Sequence, residues 1–263
     1  MVILYKTNGN HSNQLMQHAN IRAFCMDRRL SFVDLNEGNL SMRHKGKSLS
    51  AIARRFLYPL FAVCIQGLAK AGVLRTFNFS KPGTSDDFVA ASKNGICLVT
   101  GWGFSQPDLL QHYREYFQGV FRLEIADSWK EYFENREVLG LHVRRGDYAD
   151  FENGRYCYSD SQYICILERA IEIIGLRDPR IILFTNDQCL DFSAYRERFI
   201  DCVLSKESYE MDHALMSRCA YLVGPPSTFT QWASYLGSVP LLAVYDPEAR
   251  ISFSSFTVFP ETT

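Results

Sequence analysis

Short runs of Val, Ile and Leu alternate along the chain with amphipathic stretches, the pattern of βαβ units wound around parallel sheets. Val2 to Lys6 reads as a strand, Thr7 to Ser12 as a turn bearing Gly and Asn, Asn13 to Arg28 as a helix, and Leu30 to Leu35 as the next strand. A further strand is expected at Ile96 to Thr100, with helices at Pro107 to Gln118 and Asp127 to Asn135. From Val138 the pattern starts again. Its strands are Val138 to Val143, Arg180 to Thr185, Phe199 to Leu204, Tyr221 to Gly224 and Leu241 to Tyr245. Helical stretches at Asp160 to Ile174, Tyr209 to Cys219 and Thr228 to Leu236 separate them. Two α/β halves are expected, residues 1–125 and 126–263. The first carries a basic insertion over residues 38–85, with a helix from Leu49 to about Leu74 kinked near Pro59.

Composition narrows the partners. At 263 residues the chain can build two modest domains, each burying its own core. A net charge of −1 and the lack of a recognised motif exclude nucleic acid. The charge is unevenly spread: Arg43, Lys45, Lys47, Arg54, Arg55, Lys70, Arg75 and Lys81 fall between Gly38 and Ser85 with no acidic residue among them. That segment is either a solvated helix packed on its own domain or a face for anionic lipid, where each basic residue contributes about 1 kcal/mol. The uncharged stretch Phe56 to Ala69 falls short of the ~20 residues a membrane span needs. The eight cysteines include no C-x-x-C pair, so neither a zinc knuckle nor a disulfide framework is indicated. Free thiols and an opening that reads as a strand rather than a secretory signal point to the cytoplasm.

The sharpest chemical signal is His142-Val143-Arg144-Arg145-Gly146-Asp147, two guanidinium groups at the end of the buried run Val138-Leu139-Gly140-Leu141. Faces alternate along a strand, so His142 and Arg144 share one side while Leu141 and Val143 pack on the other. The carboxyl edge of an open α/β sheet is its binding crevice, and the planar fork of Arg suits the oxygens of a diphosphate. The alternative is a solvated strand end neutralised by Asp147 and Asp150, with His142 a core residue. Asn186 and Asp187 end the strand Ile181 to Thr185, facing the same crevice or forming an Asx turn. Asp212 sits in the first turn of its helix, either complementing the dipole or presenting a carboxylate to ring N–H donors such as those of guanine. Ser227 and Thr228 precede another helix whose free N–H groups can take an anion. Thr228 with Gln231 also reads as a capping box.

Taken in order, these segments resemble the α-1,2-fucosyltransferase family of glycosyltransferases. Asn13-Gln14-Leu15-Met16-Gln17-His18-Ala19 is similar to the family's N-terminal segment. HVRRGDY at His142 to Tyr148, FTND at Phe184 to Asp187, and the stretch from Asp212 to Leu236 follow. The set spans most of the chain except roughly Glu37 to Asn94, and its three central blocks together are specific. The family's glycine-rich GGLGN turn stands here as Asn8 to Asn13, its asparagine before STF is Pro226, and its double tryptophan is Gln231-Trp232.

The resemblance implies two Rossmann-like halves facing a cleft (GT-B type), the N-terminal one on the acceptor side. The implied activity is transfer of L-fucose from GDP-fucose to a hydroxyl of a glycan or lipid-linked glycan, with inversion and α-1,2 linkage. No cofactor and no metal are expected: no D-x-D pair occurs, and a fixed cation can stabilise the departing diphosphate. Arg144 is assigned to the diphosphate and Arg145 to its support or to pairing with Asp147. By the resemblance, His142 and Asp212 lie near the nucleoside, Asn186 and Asp187 in the same crevice, and Ser227 and Thr228 near the phosphates. Asn13 and Gln14 border the N-terminal turn, and Asp150 or Glu152 serves as the general base. Transfer of another GDP-linked deoxyhexose, another linkage, and a catalytically silent sugar-binding or nucleotide-binding relative are the competing readings.

Overall fold

A computed structural model of the chain describes residues 1–37, 40, 61, 63–65, 67–134 and 136–260. The chain divides into two compact units, Met1–Phe121 and Arg122–Glu261. Each holds its own parallel sheet within the mixed α/β class expected from the alternating pattern.

The first unit has four strands, β1 (Val2–Lys6), β2 (Phe32–Asp34), β3 (Arg75–Asn78) and β4 (Cys97–Thr100), in the order β2-β1-β4-β3. Helix α1 (His11–Asp27) returns the chain from β1 to β2, and α2 (Thr84–Ala91) leads from β3 towards β4. Successive side chains of β1 go to opposite faces: Val2 and Leu4 pack with Phe24, Phe88 and Val99, while Ile3 packs with Leu35, Ile65 and Leu98. Both faces are apolar because both are covered, as parallel sheets require. The expected helix from Pro107 to Gln118 is two, α3 (Pro107–His112) and α4 (Arg114–Phe121). Most of the helix expected over Leu49 to Leu74, with its kink at Pro59, lies outside the described residues; 63–65 and 67–70 are helical.

In the second unit α5 (Asp127–Phe133) precedes the sheet, whose strands are β5 (Val138–Val143), β6 (Arg180–Thr185), β7 (Cys202–Leu204), β8 (Tyr221–Gly224) and β9 (Leu241–Ala243). Helices α6 (Asp160–Ile174), α7 (Phe192–Arg198), α8 (Tyr209–Met216) and α9 (Thr228–Gly237) connect them. The strand expected from Phe199 begins only at Cys202, since Phe199 caps the end of α7. Leu139, Leu141 and Val143 pack with Tyr163, Ile166 and Leu183 on one face; Val138 packs with Ile182, Phe184 and Leu215 on the other. The order β7-β6-β5-β8-β9 is what positions the site. The chain winds outward from β5 through β6 to β7, then returns to the other side with β8 and β9. Neighbours β5 and β8 therefore send their following loops in opposite directions, opening a crevice at their carboxyl ends. Gly224 lets β8 end close against β5, for a Cβ there would stand 3.1 Å from the His142 carbonyl oxygen. Among the described residues no helix is long and apolar enough to cross a membrane.

Candidate functional site

Arg144 is the first residue past β5, and Ser227 stands just past β8, on the other side of the switch point. The Tyr163 hydroxyl takes a hydrogen bond from the Arg144 backbone N–H at 3.2 Å and fixes where the side chain starts. The guanidinium then donates to Ser227 Oγ at 3.0 Å and to the two Asp147 oxygens at 2.7 and 3.2 Å, and lies 4.6 Å from the centre of the Tyr148 ring. Among the described residues three of its five donors are thus engaged, and two remain for a ligand. The ion pair is not sealed. The Asp147 side chain is 51% exposed, though the Arg144 guanidinium holds its carboxyl below the usual range.

Arg145 has a different task. Its guanidinium grips Asp160 at 2.6 and 3.3 Å and Asp187 at 3.1 Å, and donates to the Tyr158 carbonyl at 2.8 Å. The pairing of Arg145 with Asp147 expected from sequence is therefore corrected: Asp147 pairs with Arg144, and Arg145 is a strut to the first turn of α6 and the end of β6. Geometry forces the exchange, because consecutive side chains past a strand end leave on opposite sides. Asn186 joins the two halves of the loop, accepting from the Arg145 backbone at 3.1 Å and donating to Asp147 at 3.3 Å. Asp187 also accepts from the Cys189 backbone at 2.8 Å, so the Asx turn is present as well.

On the other face of β5, His142 is buried against Phe229, ring centres 5.2 Å apart. Burial, reinforced by the Arg144 charge, pushes its pKa down to about 3, so it is neutral at working pH, and among the described residues its Nδ1 has no hydrogen-bond partner. Phe229 also stacks on His213 at 4.1 Å. Beside His213, Asp212 accepts a short hydrogen bond from the Ser205 hydroxyl. Burial outweighs that bond and lifts the carboxyl to about 6.

Ser227, not Thr228, caps α9: its hydroxyl accepts from the Phe229 N–H at 3.2 Å as well as from Arg144. The cap expected at Thr228, with Gln231 completing a capping box, is instead Ser227 alone, which keeps the extended backbone of a cap while Thr228 is already helical. Tyr148 donates to the Pro226 carbonyl at 2.6 Å and ties the loop after β5 to the loop after β8.

Asp150 and Glu152 are exposed on the same loop, and neither is a hydrogen-bond partner of Arg144. Asn13 and Gln14 belong to α1 of the first unit, where Gln14 donates to the Gly9 carbonyl at 3.0 Å. The second unit thus gathers Arg144, Arg145, Asp147, Asn186, Asp187 and Ser227. His142 reaches the Asp212 neighbourhood through Phe229 and His213. Sequence reasoning did not single out Tyr148, Asp160, Tyr163, Ser205 or Phe229. Asp160 and Tyr163 look like ordinary first-turn and core positions of a helix, and only the packing of α6 on the sheet reveals their partners. Among the described residues no three His, Cys, Asp or Glu side chains are placed to hold a metal ion.

A family model described as glycosyl transferase family 11 matches residues 108–247, more than half of the chain and all of the second-unit residues gathered above. No curated protein matches the chain.

Proposed function

The chain belongs to glycosyl transferase family 11 and is a fucosyltransferase, and from that premise we propose a GDP-fucose-dependent enzyme that fucosylates a glycan hydroxyl with inversion, in α-1,2 linkage. The observation that carries the reading is Arg144, held by Ser227 and Asp147 at a topological switch point with two donors unspent. In the transfer, the acceptor oxygen attacks C1 of fucose while the bond from C1 to the β-phosphate oxygen breaks. GDP leaves with the electron pair, and the hydroxyl proton passes to a carboxylate, for which Asp150 and Glu152 are our candidates. Negative charge grows on the diphosphate as the sugar becomes cationic, so a preorganised guanidinium stabilises the transition state more than the ground state.

We assign this charge compensation to Arg144 without a metal, in keeping with the lack of a D-x-D pair in the sequence. Ser227 and Thr228 at the start of α9 add N–H and hydroxyl donors for the phosphates. Neutral His142 and the carboxylate of Asp212 are assigned to the nucleoside, with Asp212 accepting from the N–H groups of guanine. Asn186, Asp187 and Arg145 hold the loop, and Asn13 and Gln14, in the first unit, are assigned to ligand binding. A cytoplasmic location suits the unpaired cysteines, four of them buried.

The test is GDP release from a panel of GDP-sugars with a mixed glycan acceptor, products read by mass. GDP-fucose is expected to be the donor consumed, and Arg144→Ala to lower the rate by ~10²–10³, the usual loss of one preorganised charge donor. Turnover of a different GDP-deoxyhexose would replace the donor. GDP binding without any turnover would make the chain a silent relative, and an unchanged Arg144→Ala rate would remove the site assignment.

A further inference from the structure

Beyond Arg144 the aromatic side chains form a continuous row. Tyr148, beneath the guanidinium, stacks on Phe151 with ring centres 5.1 Å apart and planes at 29°. Phe151 meets Tyr156 at 6.2 Å, and Tyr156 meets Tyr245 edge-on at 6.3 Å. Tyr148 is buried, but Phe151 is 48% and Tyr245 55% exposed. Contiguous apolar surface open to water marks a binding place more often than scattered rings do.

The polar groups around the row define what it fits. Asp150 and Glu152 flank Phe151 in sequence and are both exposed. At the other end, Tyr245 borders a surface hollow also lined by Gln231, Ser255 and Thr257. Glu152, Asn153 and Gly154 run through three successive left-handed conformations, with φ of 50°, 57° and 76°. Non-glycine residues adopt that conformation at a cost, and such strain gathers at functional loops. Flat rings beside carboxylates, hydroxyls and an amide match a pyranose, whose axial C–H face lies on an aromatic ring while its equatorial hydroxyls take hydrogen bonds. Arg155 stands over the Tyr156 ring at 5.4 Å, so the row sets cationic and anionic side chains beside flat rings, a lining for which an apolar peptide has no use.

We propose that Phe151, Tyr156 and Tyr245, with Asp150 and Glu152, form a subsite for the sugar ring of the acceptor, so that the second unit itself receives part of the acceptor. This rests on the reading of Arg144 as the diphosphate anchor. Counted from the guanidinium, Phe151 is the second ring of the row and Tyr245 the fourth, so the rings continue beyond the one that touches the diphosphate anchor.

Saturation-transfer NMR on the full chain with GDP present tests the subsite, using methyl β-galactopyranoside, methyl β-glucopyranoside and methyl α-mannopyranoside as probes. At least one glycoside is expected to be saturated on one ring face. Its affinity should fall about tenfold in Phe151→Ala and in Tyr245→Ala, return in Phe151→Tyr, and leave the GDP affinity unchanged. No saturation of any glycoside by the wild type, or saturation that survives both alanine variants, overturns the proposal. So does a parallel loss of GDP affinity, which gives the row to the donor. A wild type that binds a glycoside through Phe151 but no GDP upholds the sugar subsite and sinks the donor reading instead.

Discussion

Arg144 keeps two N–H groups for a ligand while Arg145, one residue on, commits its guanidinium to two carboxylates and a carbonyl. The same residue type serves as binder and as strut because the two side chains leave the strand end on opposite sides. Asp212 shows a related tension between stability and use. Its carboxyl is raised from 3.8 to about 6 by burial, so between those pH values the folded chain holds a proton that the unfolded chain has lost. Folded stability therefore falls as pH rises from about 4 to 6, and the penalty stays in full above that window. Asp212→Asn is expected to be more stable than the wild type at pH 7, by ~1–3 kcal/mol. The difference should vanish below pH 4, while at pH 7 GDP binds more weakly because guanine loses its anionic acceptor, and at pH 4, where the folded carboxyl is already protonated, that loss should shrink. Thermal unfolding at pH 4 and 7 beside GDP titration checks this; equal stability at both pH values removes the argument. The basic pair and Asp212 were legible in the sequence. Asp160, which takes Arg145 away from Asp147, was not: it lies 15 residues on, and only α6 folding back brings it near.

At the scale of elements, Arg145 fastens the loop after β5 to α6 through Asp160 and to the end of β6 through Asp187. The side chains are 18%, 27% and 16% exposed, so the network is only partly screened by water. Removing its centre leaves two carboxylates without a counter-charge. Arg145→Ala is expected to lower the unfolding free energy by ~2–3 kcal/mol, short of the cost for a fully buried pair. Arg144→Ala should cost under ~1 kcal/mol, since Asp147 already stands half in solvent. Urea titration of the two variants measures the contrast, and equal losses would mean that the strut is no strut. Elements were legible where packing leaves a clear imprint. β5, β6 and β8 are central strands apolar on both faces, and their runs are uninterrupted. β3, with the sequence Arg-Thr-Phe-Asn and an exposed start, lies at a sheet edge with no such run, and it went unread along with α2 and α7. The cap of α9 was misplaced by one residue because Ser227 and Thr228 are chemically equal candidates and only the backbone angle separates them.

For the whole molecule, the two-sheet architecture followed from the alternating pattern, because each βαβ turn announces itself locally. The segment from residue 38 to 85 did not announce its use. It collects basic residues without acidic ones, so the rest of the chain is net acidic. Its described part exposes Val63, Leu68 and Val73 beside exposed Lys70 and Arg75. We expect the full chain to sediment with vesicles containing anionic phospholipid and not with neutral ones, each basic residue near the surface adding ~1 kcal/mol. Added salt should weaken the binding, and Lys70→Glu with Arg75→Glu should weaken it further. Equal partition onto neutral and anionic vesicles refutes the membrane role, leaving a soluble acceptor. The switch point between β5 and β8 has one more outcome, in time rather than space. Arg144 and Ser227 are 83 residues apart, so at a ribosomal pace of ~5–20 residues per second the hydroxyl emerges roughly 4–17 s after its guanidinium. A nascent chain can own the cation yet lack the seat that aims it, and a prematurely terminated product stays inert instead of misdirecting sugar.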